Sequence, residues 1–168
     1  TLTGTSLFAQ GGDNCATAQA APITIPFAAA GGTCAGLNDY SNVGASCGIS
    51  GYTTGLDWLY YFTATQSGNI QIQLNGMTPQ YPWASISLWQ GCPSAGVCVA
   101  GSISSSNGLD QCLVAPVVNA QSYFIMIDNW PAPACFTYNI TISYPSSTNV
   151  QPQCTNMDFE MGDFTGWT

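Results

Sequence analysis

The sequence predicts an all-β protein, an antiparallel β-sandwich of the jelly-roll type that is stapled by disulfides. Three observations lead to this prediction. Several short segments alternate apolar and polar residues with a period of two, and turn residues such as Gly, Asn and Pro separate them. No segment has a convincing helical period. Finally, eight cysteines occur in 168 residues, an even number that is typical of a disulfide framework in an exported domain.

Period-two alternation identifies the individual strands. Residues 135–144 (CFTYNITISY), 69–74 (NIQIQL) and 84–88 alternate apolar and polar side chains, which predicts strands with one solvated face. Residues 57–65 and 123–127 are apolar on both sides, which is typical of central strands covered on both faces. The predicted core comprises Phe62, Ile70, Ile72, Ile125 and Ile140, and Trp58 and Trp89 are expected to have structural roles.

The remaining segments are less regular. Residues 23–27 are predicted as a first strand at a sheet edge, and residues 111–118 as a further strand, because prolines flank or interrupt both. Residues 31–55 are rich in Gly, Ser, Asn and Cys, so we expect a long loop that its cysteines pin in place. Residues 16–21 could form one helical turn.

Changes in composition predict the domain boundaries. Residues 1–10 are interpreted as the remnant of a signal peptide cleaved near Ala9 or Gln10, with an ordinary first strand as the alternative. Residues 11–145 form the predicted sandwich, and the polar residues 146–155 form a linker. Residues 156–168 hold three of the eight acidic residues and are interpreted as the truncated start of a second β module.

The charge inventory excludes several classes of function. The chain has no Lys, Arg or His and a net charge of −8, so nucleic acid and anionic lipid are poor partners. Ser-His-Asp, Cys-His and Schiff-base chemistry all require residues that the sequence lacks. We therefore expect no catalytic residues, no cofactor other than calcium, and no membrane insertion, because no further segment approaches about 20 apolar residues. Without His, stability is expected to be nearly flat between about pH 5 and 8.

The cysteines are predicted to be oxidised, since they lack the paired C-x₂₋₄-C spacing of a zinc site. Reduced thiols are the alternative. Proximity in sequence favours three pairs, and the two remaining cysteines form the fourth. The predicted pairs are Cys15 with Cys34, Cys92 with Cys98, Cys112 with Cys135, and Cys47 with Cys154.

Two groups of residues are candidates for binding. Asp13, Asp57 and Asp128 lie at predicted loops or strand ends and could bind calcium through their oxygens. The absence of a D-x-D-x-D-G loop favours the alternative, that each carboxylate is solvated or caps a turn. Tyr81, Trp83 and Trp130 lie beside prolines in predicted loops, where exposed aromatic rings can stack on sugars or anchor a protein interface. The alternative for these rings is a place in the core.

The order of several sequence blocks resembles the bacterial pre-peptidase C-terminal (PPC) domain family across roughly residues 11–145. The matching blocks are Asp13-Asn14-Cys15, Gly55–Ala64 (GLDWLYYFTA), Gly68–Ile72, Ile86–Cys92, Tyr123–Asp128 and Phe136–Ile140. One departure is that Asp57 and Trp58 are adjacent, whereas the family spaces these two residues. Separately, residues 156–167 are similar to the opening strand of another β-sandwich module, a type that often binds carbohydrate.

The resemblance implies a jelly-roll-like sandwich that accompanies secreted peptidases or occurs in surface proteins exported by type IX secretion, usually without catalytic activity. Two functional hypotheses follow. The chain is either a non-catalytic binding or adhesion module of an extracellular or cell-surface protein, or an accessory domain of a secreted peptidase or glycoside hydrolase. Its expected partners are a glycan or a surface protein and the neighbouring domains of the same chain.

Overall fold

The computed structural model describes residues 10–79, 83–104, 111–130 and 135–145. These residues form the strands β1 (Phe27–Gly32), β2 (Trp58–Thr63), β3 (Gly68–Thr78), β4 (Ala84–Gln90), β5 (Val97–Ile103), β6 (Gln111–Val117), β7 (Ser122–Asn129) and β8 (Thr137–Ser143). They also form one α-helix, α1 (Cys15–Ala20), and a 3₁₀ turn at Gly44–Cys47. Within the described ranges, no helix has both the length and the apolar character needed to cross a membrane.

The strands form two antiparallel four-stranded sheets. One has the order β1-β8-β3-β6 and the other β2-β7-β4-β5. An eight-stranded double sheet with this order is a jelly roll, so the predicted fold class is confirmed. The predicted signal-peptide remnant, apart from Gln10, lies outside the described residues, as do the linker and the second module.

The core between the two sheets follows the period-two pattern of the sequence. Along β8, for example, Tyr138, Ile140 and Ile142 are buried, whereas Thr137 and Asn139 are exposed. The core prediction is confirmed, since each of the five predicted residues is 0% exposed: Phe62, Ile70, Ile72, Ile125 and Ile140.

The sheet β2-β7-β4-β5 is also covered on its outer face. Residues 33–57 and α1 pack there and bury a second apolar cluster, which we call the outer cluster. It comprises Ala18, Tyr40, Ile49, Leu59, Trp89, Phe124 and Met126. The two-sided burial predicted for β2 and β7 is therefore confirmed, and the residues predicted as a long loop form a covering layer. Trp89, 1% exposed, has the structural role expected of it.

Two elements differ from the sequence prediction. The first strand begins at Phe27 and runs through an Ala-Gly segment that has low β-propensity but pairs with β8 along its whole length. Ile23 and Ile25, which were predicted to belong to this strand, precede it. Both are buried, and the Ile23 N–H donates to Tyr61 O. The sequence analysis also missed β5, an edge strand whose burial does not alternate.

The four predicted disulfide pairs are wrong, although the prediction of oxidised cysteines is confirmed for the described residues. The structure contains the bonds Cys15–Cys92, Cys34–Cys135 and Cys47–Cys98, and Cys112 is disulfide-bonded as well. The bonded residues are 51 to 101 positions apart, because strand pairing brings distant segments together. Cys34 and Cys135, for instance, flank the paired ends of β1 and β8. The predicted partner of Cys47, Cys154, lies outside the described residues.

We expect the Cys47–Cys98 bond to hold the covering layer on the sheet. The double substitution Cys47→Ser with Cys98→Ser should lower the free energy of unfolding by about 2–4 kcal/mol. Hydrogen exchange should increase most in residues 33–57, because the bond joins the 3₁₀ turn in this layer to β5. Uniform exchange across both sheets, with no excess in residues 33–57, would contradict this role.

Candidate functional site

Three strands of the sheet β2-β7-β4-β5 have a terminus at the same end of the sandwich. β2 and β4 begin there and β7 ends there, and the register pairs Ala84 with Asn129 and Trp58 with Ile127. The residues immediately outside these pairs, Asp57, Trp83 and Trp130, therefore occupy neighbouring positions at one end of the sheet. The covering layer adds Tyr52 to the same region.

An aromatic cluster lies at this end of the sandwich and consists of the exposed Trp83 and Trp130 and the half-buried Tyr52. The ring centroids of Trp83 and Trp130 are 6.3 Å apart, and those of Tyr52 and Trp130 are 6.1 Å apart in an edge-on arrangement. Trp83 is 40% exposed and Trp130 50% exposed, so both remain open to solvent although they contact each other. The structure thus brings together two of the three predicted aromatic residues, and the third, Tyr81, lies outside the described residues.

Hydrogen bonds hold the backbone that carries these rings. The Trp130 N–H donates to Trp83 O at 3.1 Å, and the buried Ser85 hydroxyl donates to Tyr52 O at 2.8 Å. Trp83 has a φ of 49°, a left-handed conformation that costs a bulky L-residue roughly 1–2 kcal/mol. Such a conformation persists only where the surrounding structure imposes it, and it often occurs at ligand sites.

Two buried carboxyl groups lie beside the aromatic cluster. Asp57 and Asp128 are both 0% exposed, and continuation of the β2–β7 register places them opposite each other. Their side chains share the outer face of the sheet with Leu59 and Met126 of the outer cluster, since residues two apart on a strand point the same way. The covering layer therefore lies over both carboxyl groups.

Each carboxyl group has one oxygen that accepts hydrogen bonds. Asp57 Oδ2 accepts from the backbone N–H groups of Asp39 (2.9 Å) and Tyr40 (3.1 Å), whereas Asp128 Oδ1 accepts from the Asn129 N–H at 2.6 Å. The other oxygens, Asp57 Oδ1 and Asp128 Oδ2, are buried and have no hydrogen-bond partner among the described residues. The neighbouring Gly55 N–H donates to Asn129 O at 2.8 Å, and a Cβ at position 55 would collide with Asn129 Oδ1.

Burial raises the pKa of both carboxyl groups far above that of an exposed aspartate. Desolvation is the largest cause at Asp57, whose pKa rises to about 7 although the Tyr40 and Asp39 amides stabilise its charge. Desolvation likewise raises the pKa of Asp128 to about 8, and the Asp57 charge adds to the effect. The expectation of flat stability between pH 5 and 8 is therefore wrong, because it assumed that these carboxylates lie at solvated turns.

The structure does not unite the three predicted calcium ligands. Asp13 is partly exposed, and its Oδ1 accepts a hydrogen bond from the Leu37 N–H. Among the residues that the structure describes, no three acidic, His or Cys side chains converge closely enough to hold a metal ion. Asp13 therefore does not join Asp57 and Asp128 in a three-carboxylate metal site. Its charge nevertheless raises the pKa of Asp57 slightly.

Sequence reasoning missed the residues that organise the covering layer. Tyr40 is 5% exposed, and its hydroxyl accepts a hydrogen bond from the Cys15 N–H at 2.9 Å, next to the Cys15–Cys92 bond. Its backbone N–H also binds Asp57. Tyr40 lies in a Gly- and Asn-rich stretch without periodicity, so nothing in the sequence identifies it as buried.

Comparison with known proteins adds little about function. The sequence matches no protein family and no curated protein. Among solved structures, the fold is similar to part of a GH26-CBM35 β-(1,4)-mannanase from Podospora anserina, with 12% identity and a TM-score of 0.34. The similarity covers 55% of this chain and 20% of that chain, and so distant a likeness carries no argument about function.

Proposed function

We propose that the protein is a non-catalytic extracellular module that binds glycan through the aromatic cluster of Tyr52, Trp83 and Trp130. The observation that supports this proposal is the pair of indole rings, 40% and 50% exposed, on a backbone fixed by hydrogen bonds. Exposed aromatic rings in fixed positions offer flat apolar faces that stack on the C–H faces of sugar rings. Since hydrogen bonds already hold the backbone of this surface, binding would cost little backbone conformational entropy.

The charge of the chain narrows the class of glycan. A net charge of −8 without a single cationic side chain repels uronic acids and sulfated sugars and offers no group to pair with them. The proposed ligand is therefore a neutral polysaccharide, recognised by stacking and by neutral hydrogen-bond donors and acceptors.

Chemical composition supports a non-catalytic role. The sequence lacks His and Lys, and the two most perturbed carboxyl groups are 0% exposed beneath the covering layer, where a substrate does not reach them. We infer, with the sequence resemblance to PPC domains, that the chain serves a larger secreted or surface protein. Its disulfides fit this location, because such bonds persist in oxidising compartments.

The alternative role is that of an accessory domain attached to a secreted peptidase or glycoside hydrolase, as the resemblance to PPC domains also implies. The same aromatic cluster would then hold the attached enzyme near its substrate. Domain content of the full-length gene separates the two roles: a neighbouring catalytic domain favours the accessory role, and tandem β modules favour adhesion.

Binding to neutral glycans tests the proposal. The protein would be screened on an array of neutral oligosaccharides and by depletion onto insoluble cellulose and chitin. The double variant Trp83→Ala with Trp130→Ala should bind about 10- to 100-fold more weakly, since each aromatic contact contributes about 0.5–1.5 kcal/mol. Both side chains are exposed, so the variant should retain its fold.

Val97→Ser is the matched control. Val97 is 68% exposed on β5 and outside the aromatic cluster, so its substitution changes exposed apolar surface without changing the proposed site. Equal loss of binding in the control and in the tryptophan variant would contradict the proposal. Absence of binding to every neutral glycan by the wild-type protein would do so as well.

A further inference from the structure

Two buried carboxylate oxygens at the contact between the sheet and the covering layer are energetically unfavourable when ionised. Asp57 Oδ1 and Asp128 Oδ2 belong to residues that are 0% exposed, and neither oxygen has a hydrogen-bond partner among the described residues. An ionised carboxylate without water or a partner is strongly destabilising, so proteins pair such groups with a cation or place a metal there. No side chain in the entire sequence carries a positive charge.

Both oxygens lie in the same small region of the molecule. Asp57 precedes β2 directly, Asp128 is the penultimate residue of β7, and the register from Trp58 and Ile127 places the two opposite each other. The charge of Asp57 acts on Asp128. A cation between the two carboxylates would therefore compensate both charges at once.

The available donors determine the type of cation. They are hard oxygens: the two carboxylates and the backbone carbonyls of the strand ends. The chain contains no His, and every cysteine that the structure describes is disulfide-bonded, so neither nitrogen nor thiolate is offered here. Calcium accepts such an irregular set of oxygens, whereas magnesium requires a near-octahedral set and retains its waters.

We propose that Asp57 and Asp128 bind one calcium ion between the outer face of the sheet and the covering layer. With two carboxylates, the site belongs to the weaker class of extracellular calcium sites, for which dissociation constants are on the order of 10⁻⁴–10⁻³ M. The proposal does not depend on glycan binding, because the carboxyl groups are buried whereas Trp83 and Trp130 are exposed.

Thermal unfolding with and without millimolar calcium tests this site. Against a chelator, calcium should raise the melting temperature of the wild-type protein by about 3–10 °C. The shift should disappear in Asp57→Asn and in Asp128→Asn, which preserve side-chain size. It should persist in Asp39→Asn, which removes the same charge from an exposed residue of the same layer. An equal shift with magnesium would overturn the assignment to calcium.

Terbium(III) luminescence gives a second readout that does not require the variants to fold. Trp130 follows Asp128 by two residues, so we expect its indole to sensitise a terbium ion that replaces calcium. The wild-type protein should show terbium emission on tryptophan excitation, and calcium should displace it. If the wild-type protein showed neither this emission nor a calcium-dependent melting shift, or if both aspartate variants kept the full shift, the proposal would be wrong.

Discussion

In the presence of a chelator, the protein should lose several kcal/mol of stability as the pH is raised from 5 to 9. Burial raises the pKa of Asp57 to about 7 and that of Asp128 to about 8, well above the value near 4 of an unfolded chain. Their contribution to stability is therefore fully present below about pH 4 and is lost as the pH rises through the two folded pKa values. Each pKa unit corresponds to about 1.4 kcal/mol, so the loss is a large part of the stability of a single domain.

Urea denaturation at a series of pH values measures this loss. The groups that face the pair are Asp13, Asp39 and Tyr40, none of which is a cation that could offset the charges. The double variant Asp57→Asn with Asp128→Asn should remove most of the slope, and it should be more stable than the wild-type protein at pH 9. A wild-type profile without slope, or a slope that survives in the double variant, would contradict the account of the buried pair.

The substitution Trp89→Ala should destabilise the protein by about 3–5 kcal/mol. Trp89 is 1% exposed in the outer cluster, and its indole N–H donates to the Ser87 hydroxyl at 2.8 Å. Removing the ring creates a cavity between the sheet and the covering layer and leaves Ser87 without this donor. Urea denaturation of the variant measures the loss.

Val97→Ala on the neighbouring strand serves as the control for Trp89→Ala. Val97 is 68% exposed, so this change should alter stability by no more than about 0.5 kcal/mol. A loss below about 1 kcal/mol for Trp89→Ala would show that the covering layer adds little to the fold.

The sequence predicts those parts of the fold that alternation determines. In β8 and β3, one face of each strand meets the core, so the apolar residues recur at every second position. β1 could not be predicted in the same way. Its Ala-Gly sequence has a low propensity for strands, and it forms a strand because it pairs with β8. The disulfide pairs depend on the same long-range pairing, which is why proximity in sequence led to the wrong partners.

The sequence identified several residues of the candidate site, but it did not predict which of them are exposed and which are buried. Trp83 and Trp130 are adjacent to prolines at strand ends, which favours exposure, and both are exposed. Asp57 and Asp128 also end strands, and such positions are usually solvated. Their burial depends on residues 33–57 folding back over the sheet, and neither periodicity nor composition of those residues indicates this.

The central claim is that Trp83 and Trp130 form the ligand-binding surface, and NMR of the indole N–H groups tests it most directly. The protein would be titrated with cello- and chito-oligosaccharides while the indole signals are assigned and followed. Glycan binding at this surface should shift the signals of Trp83 and Trp130 and leave that of the buried Trp89 unchanged. If glycan binding shifted other signals while Trp83 and Trp130 stayed unchanged, or if no oligosaccharide shifted any indole signal, the claim would be contradicted.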